Sequence, residues 1–122
     1  MDYFNDLISF MRLDITKNEL LDIVKADLKD LTIDNPIIVN SEDVIKVLEA
    51  YLNNKINLQD VIDWVNIIWF SDIYDYADYQ CDSIASVMNE LEEADEDSEK
   101  LSQNNIEKYL NALKNNTEFN KN

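Results

Sequence analysis

Apolar residues recur at helical spacing from one end of this chain to the other, and that periodicity narrows the fold to packed helices. Phe4, Leu7, Ile8 and Met11 stand at i, i+3, i+4 and i+7. Leu20, Val24, Leu28 and Leu31 form a second stripe, widened by Leu21 and Ile23. Val44, Leu48, Tyr51 and Leu52 form a third, with Ile45 alongside. Leu58, Val61, Ile62, Val65, Ile68 and Trp69 give the widest apolar face. Ile84, Val87, Met88 and Leu91 repeat the pattern, as do Ile106, Tyr109, Leu110 and Leu113. An apolar stripe on a helix must be covered by another element, so core packing is the first reading of these residues.

Start signals fall where the stripes begin. Thr16 can cap a helix with Glu19 at the third helical position, and Ile15 with Leu20 can staple the entry. Ile56-Asn57 with Val61 repeats the staple, with Asp60 at the third position, and Leu101-Ser102 with Ile106 repeats it again. Ser41, followed by Glu42 and Asp43, is expected to cap the third helix. The chain has no glycine, so helix ends must use asparagine, the next most tolerant of left-handed geometry. Asn53-Asn54 and Asn115-Asn116 stand where helices should stop. Asn35-Pro36 separates the second and third helices, and Ile37-Ile38-Val39 is expected to be an extended connector and not part of a sheet. The expectation is an all-α fold: one domain over residues 1–122, a compact bundle of five to six short helices, with a polar tail at 115–122 that frays.

Composition removes several functions. Without histidine the commonest general base and metal ligand is missing. Without glycine there is no phosphate-cradling loop, dinucleotide fingerprint or nucleophile elbow. One cysteine, Cys81, allows neither an internal disulfide nor a zinc site, and it suits a reducing compartment. No apolar run approaches ~18 residues, so no membrane span is expected. The start, Met1-Asp2-Tyr3-Phe4-Asn5-Asp6, lacks the basic stretch of a secretory signal, and a cytoplasmic location is expected. Neither catalysis nor a cofactor nor a metal is expected.

The charge is distributed unevenly. Lysine and arginine are absent between Lys55 and Lys100, and those 44 residues hold 13 acids, which carry −13 of the formal −16. Such a charge argues against direct contact with nucleic acid or anionic membrane and points to a basic protein partner. Trp64, Trp69, Phe70, Tyr74, Tyr76 and Tyr79 lie in the same stretch. One-sign charge speeds encounter, and aromatic side chains give the dry contacts that hold a complex.

The segment Ser71-Asp72-Ile73-Tyr74-Asp75-Tyr76-Ala77-Asp78-Tyr79-Gln80 is the centre of that reading. Its acids recur every third residue, and Tyr74 and Tyr76 are two apart. A loop presenting tyrosines beside carboxylates is expected, with Asp72, Tyr74, Asp75, Tyr76, Asp78, Tyr79 and Asp82 as partner-binding candidates. Trp64 and Trp69 fall about 140° apart on a helix. Trp69 extends the apolar stripe and is expected in the core, and Trp64 at the boundary is the candidate interface residue. Glu92, Glu93 and Glu96, in the run from Glu90 to Glu99, are candidates for steering. A calcium loop started at Asp95 fails, because Lys100 stands where glycine is needed and Ile106 where glutamate is needed.

Ile56-Asn57-Leu58-Gln59-Asp60-Val61-Ile62-Asp63-Trp64-Val65-Asn66 leads into Ile67-Ile68-Trp69-Phe70, then Asp72-Ile73-Tyr74, then Ile84-Ala85-Ser86-Val87-Met88-Asn89-Glu90-Leu91. Over about residues 41 to 113 this pattern resembles the small helical immunity proteins of bacterial contact-dependent growth inhibition and related polymorphic toxin systems. The resemblance implies a cytoplasmic protein that binds the C-terminal domain of a cognate toxin, often a nuclease such as an RNase, and blocks its active site. It transfers no individual contact. The alternative is a nucleic-acid mimic of the phage anti-defence type, whose carboxylates should form rows at phosphate-like spacing. An acidic secretion chaperone should be dimeric and usually α/β. A carboxylate enzyme should bury an acid cluster, whereas the acids here avoid the apolar stripes.

Overall fold

A computed structural model describes residues 3–25 and 35–119. Among them six α-helices share one core: α1 (Phe4–Met11), α2 (Lys17–Val24), α3 (Ser41–Leu52), α4 (Leu58–Phe70), α5 (Cys81–Glu92) and α6 (Gln103–Lys114). The all-α reading holds. α5 packs against α4 and α6, α3 packs against α6 and α4, and the α1–α2 pair leans on α4. Lys17 of α2 adds an ion pair with Asp63 of α4 at 3.5 Å. Leu28 and Leu31, expected to extend the second helix, lie outside the described residues. The described helix stops at Val24, with Lys25 in left-handed geometry at φ 55°.

The helix starts follow local chemistry. Thr16 and Asn57 form reciprocal capping boxes with Glu19 and Asp60, and Ser102 accepts from the Asn105 N–H. The third cap is Asn40, not Ser41. Asp43 is three residues from Asn40, and the two exchange side-chain and backbone hydrogen bonds, which moves Ser41 into the first turn. Helix ends replace glycine with other residues. Asn54 and Asn116 take positive φ, each followed by paired hydrogen bonds back to the last turn: Asn54 and Lys55 to Tyr51 and Ala50, Asn116 and Thr117 to Leu113 and Ala112. That double bond is the Schellman closure. Leu13 does the same after α1, at φ 67°, with Leu13 and Asp14 bonding Phe10 and Ser9. A leucine there costs about 1 kcal/mol relative to right-handed geometry.

Two expectations about extended segments are corrected. Ile37–Val39 is a strand, β1, and pairs in parallel with a second strand, β2 (Tyr74–Tyr76), in the register Ile37↔Tyr74, Ile38↔Asp75, Val39↔Tyr76. Parallel strands need a crossover, and α3 and α4 supply it. Side chains alternate across a strand, so Ile37 and Val39 enter the core while Ile38 is 50% exposed. The tail is the second correction. Phe119 sits edge-on to Tyr109 with ring centroids 4.9 Å apart, and its N–H donates to Ser86 Oγ at 2.7 Å. Residues 115–119 are therefore docked on the bundle, whereas 120–122 lie outside the described residues.

The tryptophans are reversed from expectation. Trp64 is 1% exposed, and its indole N–H donates to the Met11 carbonyl at 3.0 Å, tying α4 to the end of α1. Trp69 is half-buried. The buried residues of α4 are Val61, Ile62, Trp64, Val65 and Ile68. At about 100° per residue this face is rotated toward Trp64 from the stripe read in the sequence. Trp64→Ala is therefore expected to cost about 3–5 kcal/mol by denaturant unfolding. Trp69→Ala should cost clearly less; equal losses would contradict this packing.

Candidate functional site

Four short pieces of chain assemble an acidic aromatic face. The last turn of α4 delivers Trp69. Ser71 then closes a tight turn by accepting from the Ile73 N–H at 3.2 Å, and Asp72 stands exposed upon it. β2 follows, and its two-residue period sorts the side chains. Tyr74 goes inward: it is 7% exposed, and its hydroxyl donates to the Leu7 carbonyl at 2.7 Å. Asp75 goes outward. Tyr76 lies half-buried against Trp69, ring centroids 5.8 Å apart and planes inclined by 30°.

The strand edge is blunted locally. The Ala77 N–H bonds Val39, so the Tyr76 N–H points away from β1, and Asp75 Oδ1 accepts it at 2.9 Å. Beyond the stack, a 3-10 turn at Asp78–Gln80 leads into α5. Asn116 donates to the Tyr79 carbonyl at 2.8 Å, and Gln80 Oε1 accepts from the Ser41 N–H at 3.0 Å. The turn is thus held from the segment after α6 and from the start of α3. Tyr79 is displayed on it at 75% exposure, with Asp78, Cys81 and Asp82 exposed beside it in the chain. An open groove runs past the stack, lined by Pro36, Trp69, Ser71, Asp72, Asp75 and Tyr76, with Ile68 and Tyr74 at its base.

The sequence candidates therefore separate. Asp72, Asp75, Tyr76, Asp78, Tyr79 and Asp82 share the region around β2 and the start of α5. Tyr74 and Trp64 are buried, and their hydrogen bonds to Leu7 and Met11 support the bundle; Tyr74 also contributes to the groove lining. Trp69, read as core, reaches the groove instead. Its signal was its position at the end of the helix, next to the acids.

Electrostatics divides the acids further. The ion pairs seen among the described residues are Lys17–Asp63, Lys100–Glu90 and Lys100–Glu93, and none reaches Asp72, Asp75, Asp78 or Asp82. Burial, then the neighbouring Cys81 and Asp75, push the Tyr76 hydroxyl above its usual range. It stays a neutral donor at physiological pH. The Glu90–Glu99 run is different. It folds into 3-10 turns at Glu93–Asp95 and Ser98–Leu101, anchored by buried Ala94 and Leu101. Those turns bring Lys100 back to Glu93 at 3.0 Å and to Glu90 at 3.6 Å. Glu92 is half-buried and Glu96 exposed. Glu90 is 2% exposed, contrary to the expectation that acids avoid the apolar stripes. Lys100 is the first base after the long acidic stretch, and it serves the interior.

Among the described residues, no group of three or more His, Cys, Asp or Glu side chains is placed to hold a metal ion. None of the helices among these residues is long and apolar enough to cross a membrane. Comparison with protein-family models, with curated proteins and with solved structures gives no match in any of the three.

Two outcomes test these placements. Removing the partner of a buried charge is costly, so Lys100→Met should destabilise by about 2 kcal/mol or more in denaturant melts. Glu90→Gln in the same chain should restore part of that; a neutral Lys100→Met would show that the pair does not matter. The second outcome is alkaline. Burial raises the hydroxyls of Tyr74 and Tyr109 well above their usual range. Glu93 first, with Glu90, raises the Lys100 ammonium. Above about pH 10 the unfolded chain releases protons that the folded chain keeps, so stability must fall with rising pH. Each fully buried tyrosine adds up to about 1.4 kcal/mol per pH unit. Tyrosinate absorbance for these two residues should appear together with loss of helicity and not before it.

Proposed function

We propose that this chain is an immunity-type inhibitor: a non-catalytic protein that binds a basic toxin domain, of nuclease type, and covers its active site. The observation that carries the reading is the uncompensated acidic face around the Trp69–Tyr76 stack and Tyr79. A nuclease is cationic where it holds phosphate, and a rigid acidic surface is complementary to that cleft. The resemblance of residues 41–113 to immunity proteins of contact-dependent growth inhibition points the same way. Cytoplasmic residence follows from that role. The face also distinguishes steering from holding. Asp72, Asp75, Asp78 and Asp82 act at long range, with Glu92, Glu93 and Glu96 as outlying charge. Tyr79 and Tyr76 supply the contact that must be broken on release.

A nucleic-acid mimic is the second reading, favoured by the exposed acids Asp95, Glu96, Asp97 and Glu99. The two readings separate with a partner in hand. The chain would be used to capture a protein from its source organism, and the captured protein tested for toxicity that co-expression of the chain relieves. Association should slow steeply as salt rises. Tyr79→Ala or Tyr76→Ala should speed dissociation ~30-fold, the factor matching ~2 kcal/mol, with helicity unchanged. Neutralising Glu92, Glu93, Glu96 and Glu99 together should lower the association rate and spare residence time. Loss of binding in the glutamate set, with both tyrosine variants unaffected, would favour the mimic.

A further inference from the structure

We infer that the groove beside the Trp69–Tyr76 stack is a socket for one arginine side chain of the partner; the inference rests on the acidic-face reading above. Trp69 and Tyr76 are stacked with their planes inclined by only 30°, not edge to face, and both rings line the groove. Pro36 adds an exposed apolar contact on the groove lining. Asp72 and Asp75 are exposed on the same groove and take part in none of the ion pairs seen among the described residues. Asp75 Oδ1 is engaged by the Tyr76 N–H, which orients that carboxylate.

Each chemical class of occupant can be weighed against those walls. An acidic group is repelled by two carboxylates. An apolar group would strip water from Asp72 and Asp75 and leave them unpaired, which is costly. A lysine meets the charge, but its ammonium is strongly hydrated and offers the rings only a point charge. A guanidinium satisfies both features. Its plane stacks on an aromatic face, and its fork of N–H donors suits a fixed carboxylate. Charge complementarity together with a flat aromatic wall therefore selects arginine over lysine.

The test uses the full chain, labelled with nitrogen-15, and two probes of equal charge: tri-arginine amide and tri-lysine amide at low salt. The two indole N–H signals make an internal comparison, because Trp64 is buried and bonded to Met11 whereas Trp69 lines the groove. Tri-arginine should move the Trp69 indole and the Asp72, Asp75 and Tyr76 amides, and leave the Trp64 indole in place. It should bind about tenfold more tightly than tri-lysine. Asp72→Asn with Asp75→Asn should weaken tri-arginine about tenfold while the remaining spectrum keeps its dispersion. Equal binding of both probes, with shifts at Asp72, Asp75 and Tyr76, would overturn the arginine socket and leave the acidic-face reading standing; shifts confined to residues 92–99 would overturn the socket and favour the mimic. Absence of any shift with either probe would overturn both.

Discussion

The pairing of Ile37–Val39 with Tyr74–Tyr76 is the constraint on which the exposed face depends. It joins two three-residue pieces separated by two helices, and it determines which side of the acidic segment faces water. A strand turns alternate residues to opposite sides, so Tyr74 must enter when Asp75 leaves. Once Tyr74 is inside, its hydroxyl needs an acceptor, and the Leu7 carbonyl provides it. The same alternation lays Tyr76 against Trp69 at the end of α4. A loop of the same composition could rotate its tyrosines freely. Here one tyrosine is structural, one forms a wall, and Tyr79, on the turn that follows, is displayed.

Charge is the second constraint. A formal −16 opposes compaction, and helix C-termini disfavour acids. α5 nevertheless ends in Glu90-Leu91-Glu92 with no base in its last turn. Lys100 answers this from outside the helix, brought back by two 3-10 turns whose only buried apolar anchors are Ala94 and Leu101. Nothing comparable answers Asp72, Asp75, Asp78 or Asp82 among the described ion pairs. The fold thus neutralises acid where it is buried and leaves it unneutralised beside the aromatic stack.

Much of this was legible in the residues, because helices are built from local rules. The stripes, the boxes at Thr16 and Asn57, and the asparagine stops at Asn54 and Asn116 depend on neighbours within about five positions. What escaped depended on partners far along the chain. Ile37-Ile38-Val39 is too short to announce a strand, and its partner begins at residue 74. The two-residue spacing of Tyr74 and Tyr76 was the available clue. Ser41 was displaced as a cap by one residue because Asn40 has the reciprocal partner, Asp43. The tryptophans were exchanged because an apolar helix face wide enough to include both leaves its centre undetermined. Contact with α1, through Met11, decides it. Glu90 was read as surface because Lys100 is ten positions away in sequence.

The site candidates show the same division, and it has a mechanistic consequence. Charge along a chain is legible without structure, since acids far from any base remain acidic wherever they fold. Which aromatic ring can touch a partner is not, because that depends on the tertiary neighbours that cover the others. Tyr74, Tyr76 and Tyr79 look equivalent in sequence, yet their environments run from buried through half-buried to exposed. The exposed ring sits on a turn fastened by Asn116 on one side and Ser41 on the other. A side chain on a fastened backbone has little left to order when a partner arrives, and a stacked pair such as Trp69 and Tyr76 has less. Steering by carboxylates tolerates loose geometry. Contacts that set residence time do not, and the rings proposed for that role lie where the backbone is held by the bundle.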